Sequence, residues 1–111
     1  NGGSWLDWAS DKNLQRKSYR GQGFKDNYGR MSWDKPAPTI TTKFFSISNG
    51  RFAHPEENRA ISIREGATIQ TFPKNYIFYS TGVSGQAKMI GNAVPPLFAK
   101  ELGKVILNAK K

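Results

Sequence analysis

"QAKMIGNAVPPLFAKELG", Gln86 to Gly103, carries the densest structural instruction in the chain. It sets a Gly-Asn pair and two prolines directly ahead of an apolar-periodic run. Asn92 has the short polar side chain of a helix N-cap. Pro95 and Pro96 are tolerated only in a first turn, where an amide hydrogen would find no intrahelical partner. Val94, Phe98, Leu102, Val105, Ile106 and Ala109 then fall along one apolar stripe. The pattern predicts a closing helix over 93–109, with Lys104, Lys110 and Lys111 toward the negative end of its dipole. Gly103 inside it costs about 1 kcal/mol relative to alanine and leaves room for another element to approach.

Working backward, "NRAISIREGATIQTFP" (58–73) contains a second helix start. Ser62 is followed three residues later by Glu65, the spacing of a capping box in which hydroxyl and carboxylate each satisfy the other residue's amide. The helix is expected over 62–72, since Pro73 stops it. Before it, Pro36 and Pro38 exclude a helix and push their neighbours extended. "TITTKFFSI" is β-branched and aromatic, which predicts a strand over 39–47, and Asn49-Gly50 then reads as a hairpin turn. Residues 1–30 read as irregular, with a weak helical signal at 6–14. "NYIFYSTG" (75–82) reads as a short strand or a connection. The fold class is α+β: a short twisted β region followed by two or three helices, the last amphipathic.

A chain of 111 residues makes one modest domain with a thin core. Mean hydropathy is -0.62, but three Trp, seven Phe and four Tyr argue against disorder. The net charge of +9 points to a polyanionic partner. Lys12, Arg16, Lys17, Arg20, Lys25, Arg30, Lys35 and Lys43 are opposed only by Asp26 and Asp34, with Tyr19, Phe24, Tyr28 and Trp33 among them. Cations can meet phosphates there while rings stack or wedge.

Several chemistries are excluded. No cysteine means no disulfide and no thiolate site, and a single histidine, His54, makes no metal cluster. His54 lies between Ala53 and Pro55 and reads as a turn residue. No apolar run spans a membrane, and no leader opens the chain. The start at "NGGSW", without Met, reads as a fragment or a processed product. "GVSGQAK" lacks the ending of a phosphate loop, and "GQGF" is not a dinucleotide fingerprint. Glu56, Glu57, Glu65 and Glu101 show no acid–base pairing. Gly91-Asn92-Ala93 is the remaining candidate, because a helix N-terminus offers amides and a positive dipole end to an anion. An ordinary cap is the alternative.

The two helical blocks resemble the last two motifs of the bacterial DNA cytosine-5 methyltransferases. The first family block reads approximately Arg-x-Leu-Thr-x-Arg-Glu-Ala-Ala-Arg-x-Gln-x-Phe-Pro. Arg59, Ser62, Arg64, Glu65, Ala67, Gln70, Phe72 and Pro73 match it, with Gly66 and Thr68 departing. The second reads approximately Gln-x-x-Gln-Ile-Gly-Asn-Ala-Val-Pro-Pro, and only Met89 departs at a strong position. "PAPTITTKF" is similar to the end of the family's target-recognition domain.

The resemblance implies an enzyme that flips cytosine out of duplex DNA. A cysteine thiolate attacks C6, a glutamate assists at the ring nitrogen, and the methyl group placed on C5 comes from S-adenosylmethionine. A chain without cysteine cannot supply that nucleophile. The resemblance therefore implies a C-terminal piece that is inactive alone. Residues 1–53 would belong to the recognition domain and 54–111 to the catalytic domain, whose missing N-terminal half is the natural partner. Thr39 and Ile40 resemble the pair whose threonine contacts a phosphate, with Thr41 and Lys43 beside them and Arg30 as the candidate guanine reader. Asn92, Ala93 and Val94 resemble the methionine end of the cofactor pocket, and Arg64 and Glu65 look structural, bracing the two domains. The apolar stripe would be covered by a second copy or by the chain's own strand. The setting implied is the bacterial cytoplasm, in restriction–modification on double-stranded DNA. Two other readings are a non-enzymatic nucleic-acid-binding module and a subunit that completes a split methyltransferase in trans.

Overall fold

The computed structural model describes residues 29–110. The chain divides into two compact units: Asn1–Thr39 with Phe44–Ile61, and Ile40–Lys43 with Ser62–Lys111.

In the first unit the described backbone is held by isolated bridges. Arg30 pairs in parallel with Ala53, and Ala53 pairs antiparallel with Ala60. The amides of Met31 and Ile61 donate to the carbonyls of Ala53 and Phe52, each at 2.9 Å. Phe44, Phe52 and Ile61 are buried. The strand expected over 39–47 does not form. Residues 42–45 turn, and Ile47–Asn49 make a 3-10 turn. The threonines explain part of this, since the Thr41 hydroxyl accepts from the Lys43 amide at 3.4 Å. Such local hydroxyl bonds compete with a ladder. Gly50 follows at φ 144, a conformation that favours glycine.

The second unit is helical. Helix α1 spans Ile63–Ile69, α2 Val83–Gly91 and α3 Pro96–Ala109. The capping box of α1 is complete: Ser62 Oγ accepts from the Glu65 amide at 3.2 Å, and Glu65 Oε2 accepts from the Ser62 amide at 2.6 Å. The helix ends sooner than Pro73 alone would require. Thr71 adopts φ 66, the Phe72 amide donates to Ala67 O, and the Thr71 amide donates to Thr68 O, both at 2.9 Å. Those two bonds are a Schellman cap with threonine in the left-handed position usually held by glycine.

Helix α1 packs against α2, and the buried residues are small or aliphatic: Gly66 and Ala67 on one, Ala87 and Ile90 on the other. Helix α2 carries no early periodic signal because glycine and serine fill its first turns. Phe72, Tyr76 and Phe78 form a ring cluster with centroids 4.9 to 5.0 Å apart.

Helix α3 buries none of its residues. Leu97, Phe98, Leu102, Val105, Ile106 and Leu107 are all exposed, so the chain's own strand does not cover the stripe. The helix also starts later than expected. Asn92 ends α2 in αR geometry, and Pro95 at ψ 126 precedes α3. The reason is proline itself: a residue before proline is pushed out of the helical region, so Val94 and Pro95 cannot belong to a helix running through Pro96.

Candidate functional site

The second unit brings two other stretches of sequence to one turn, residues 90–97. Gly91, the last residue of α2, lies against the Thr41–Thr42 peptide. A Cβ built there would sit 2.5 Å from Thr41 C and Thr42 N and 2.6 Å from Thr41 O. No L side chain fits beside backbone at that distance, so glycine is what allows the threonine segment to approach. Ile40, 5% exposed, is buried. Thr39, Thr41 and Lys43 are exposed.

The turn is gripped from α1. Gln70 Nε2 donates to Ile90 O at 3.1 Å and, over a longer 3.4 Å, to Ala93 O. Thr71 Oγ1 accepts from the Leu97 amide at 3.1 Å. Between these ties, Asn92 and Val94 are exposed and Ala93 is half-buried. The turn is thus a wall of small and apolar side chains with one amide, held at both ends. Sequence reasoning missed Gln70 and Thr71 in this role, because the groups they hold lie 20 to 26 positions further along the chain.

The anion-binding expectation for the helix start is not met at α3. Pro95 and Pro96 carry no amide hydrogen, and the Leu97 amide is already taken. Of the four donors a helix N-terminus normally offers, only that of Phe98 is left.

Arg64 and Glu65 take structural roles inside this unit. Arg64 Nη2 donates to Tyr76 O at 3.0 Å, and its guanidinium lies 5.9 Å from the Phe78 ring centre. It braces α1 to the aromatic segment.

In the first unit Arg30 is engaged by a loop. Its Nη1 donates to His54 O at 2.5 Å and Glu57 O at 2.7 Å, and Nη2 donates to Asn58 Oδ1 at 2.8 Å. A guanine would have to compete with those acceptors. His54 serves the same loop, accepting at Nδ1 from the amides of Glu56 at 3.2 Å and Glu57 at 3.0 Å. Trp33 closes it from outside, with Nε1 donating to Glu56 Oε1 at 2.9 Å. Next to Trp33, the Ser32 hydroxyl donates to the Asp34 carboxylate, which with Asp34's own backbone amide and the charge of Lys35 holds that carboxyl below its usual range.

Lys12, Arg16, Lys17, Arg20 and Lys25, with Tyr19, Phe24 and Tyr28, lie outside the described residues, as does the 6–14 helical signal. Among the described residues no group of three His, Cys, Asp or Glu could hold a metal, and no helix is long and apolar enough to cross a membrane. The chain has no cysteine. Among the described residues the arrangement presents Asn92 and Val94 on a backbone held at both ends.

A family model described as C-5 cytosine-specific DNA methylase matches residues 2–108. The type II methylase M.HgiDII of Herpetosiphon aurantiacus is 45% identical over 109 residues, covering 95% of this chain and 31% of the relative. The type II methyltransferase M.Sau96I of Staphylococcus aureus is 43% identical over 110 residues, covering 96% of this chain and 25% of the relative. DNA (cytosine-5)-methyltransferase 3 of Arabidopsis thaliana is 38% identical over 98 residues, covering 87% of this chain and 7% of the relative. The chain spans less than a third of the length of these curated relatives.

Proposed function

The chain belongs to the C-5 cytosine-specific DNA methylase family, and on that premise we propose that it is the C-terminal part of a site-specific DNA cytosine-5 methyltransferase. In this reading Thr41 and Lys43 of the second unit help seat double-stranded DNA. Asn92, Ala93 and Val94 form one wall of a pocket for S-adenosylmethionine. The cofactor, when bound, supplies the methyl group for C5 of an extruded cytosine. The chain's own residues position it: Gln70 and Thr71 fix the turn, and the exposed Asn92 amide and apolar Val94 face outward from it. Small side chains and a fixed backbone suit close approach of such a ligand.

One observation carries the reading. Gly91 lets the threonine segment lie directly on the turn that would hold the cofactor, so a DNA-seating element and a cofactor wall share one packing contact. The chemistry also needs a thiolate at C6, and this chain has none. The nucleophile, the rest of the pocket and the surface that covers α3 would come from other residues of the enzyme. Alone, the chain is expected to transfer no methyl groups.

The test is a chimaera in which this chain replaces the matching segment of M.HgiDII. Transfer of a tritium-labelled methyl group from S-adenosylmethionine to duplex DNA is measured for the chimaera and for the chain alone. Activity of the first and none from the second is expected. A folded chimaera that binds duplex DNA without transferring methyl would favour a nucleic-acid-binding module instead. Transfer by the chain alone would overturn the thiolate argument.

A further inference from the structure

Resting on the cofactor-wall reading above, we propose that Thr71 is a positioning residue for cofactor binding, holding the 93–97 end of the turn through its hydroxyl at the expense of its own backbone strain. Thr71 is the one non-glycine residue with positive φ among the described residues, at φ 66. A β-branched residue in that region is a true outlier, and holding it there is unfavourable. Glycine would make the same Schellman cap without it. Something must therefore favour the hydroxyl.

The structure supplies that reason. Helix α3 has a start that cannot cap itself: Pro95 offers no side-chain acceptor, and neither Pro95 nor Pro96 has an amide hydrogen. Leu97 is the first residue of the helix with a donor, and Thr71 Oγ1 accepts from it at 3.1 Å. Thr71 thus acts as an N-cap borrowed from another helix's C-terminus. The preceding residue, Gln70, holds the opposite end of the same turn through Ile90 O and Ala93 O. Consecutive residues pin both ends of the stretch that carries Asn92, Ala93 and Val94. A glycine at 71 would relax the α1 cap and release the Leu97 end.

The test uses the chimaera with M.HgiDII and three variants, Thr71→Ser, Thr71→Val and Thr71→Gly. S-adenosylhomocysteine, the cofactor without its methyl group, is the binding probe, and exchange of the Leu97 amide is followed in parallel. Thr71→Val keeps the shape and loses the acceptor, whereas Thr71→Gly loses the acceptor and the strain together. Both are expected to weaken binding about five- to tenfold, the usual scale of a lost cap, and to speed Leu97 exchange. KM for S-adenosylmethionine should rise with them while kcat at saturation stays within about twofold, as for an interaction equal in ground and transition states. Thr71→Ser is expected to bind within about twofold of the parent. The inference is overturned if Thr71→Gly binds as tightly as the parent, or if Thr71→Ser loses as much as Thr71→Val. A parent chimaera that folds but takes up no S-adenosylhomocysteine overturns the cofactor-wall reading and this inference with it. A parent that binds normally, with variants unaffected, overturns this inference alone.

Discussion

Substituting Gly91 by alanine adds one carbon, and the structure says where it must go. Its nearest neighbours would be Thr41 C and Thr42 N at 2.5 Å and Thr41 O at 2.6 Å. That is about an ångström inside the normal carbon separation of roughly 3.5–4.0 Å. No rotamer change relieves it, because all three atoms are backbone. Overpacking of this kind costs about 1–3 kcal/mol, and a backbone obstacle belongs in the upper half of that range. Against it stands the helix propensity of alanine over glycine, worth about 1 kcal/mol, since Gly91 closes α2. The net expectation for Gly91→Ala is a loss of about 1–2 kcal/mol. The control is Gly103→Ala, where a Cβ meets nothing within 4 Å. There only the propensity term acts, so the same chemical change should stabilise the chain by about 0.5–1 kcal/mol. Urea unfolding of both variants measures the pair, with midpoints moving in opposite directions at constant slope. If Gly91→Ala were as stable as the parent, the Thr41–Thr42 peptide would not lie on α2, and the shared contact behind the proposed function would go with it.

Other outcomes follow from the same geometry. Ser62→Ala removes the acceptor for the Glu65 amide and should cost about 1 kcal/mol in thermal unfolding. Arg30→Met strips three hydrogen bonds from the 54–58 loop; a loss of about 1–3 kcal/mol is expected, and an altered target sequence without lost stability would count against a loop-holding role. Asp34 titrates below its ordinary 3.8 when folded, so its contribution is present above that value and fades as the pH falls through the lowered one. Ser32→Ala removes the largest cause and should return the Asp34 carboxyl toward 3.8 in an NMR titration. Amides of α3 should exchange faster than those of α1 and α2 in the chain alone, and slow down in the chimaera.

What the sequence made legible was local. Ser62 and Glu65 lie three residues apart, so their reciprocal bonds need no tertiary information, and the capping box formed as its spacing dictates. The prolines at 95 and 96 do mark a helix start, but each also pushes the residue before it out of helical geometry, so Asn92 closes α2 instead of opening α3. The strand over 39–47 rested on β-branching, a preference that depends on a neighbouring strand to pair with; among the described residues none is there, and threonine hydroxyls turn the chain instead. The contacts that build the candidate site were illegible for a different reason. Gln70 reaches residues 20 and 23 positions on, and Thr71 reaches 26; nothing in the local pattern of an amide or a hydroxyl announces a distant carbonyl or amide. The last helix inverts the lesson. Its stripe was readable from periodicity alone, yet every apolar residue on it is exposed in the chain. A helix of 14 residues is marginal by itself in water. Periodicity reports which face a helix must bury, and it says so whether or not the surface that buries it is in the same stretch of sequence. The mismatch between a legible stripe and an uncovered helix is therefore a physical reason to expect further packing beyond these residues.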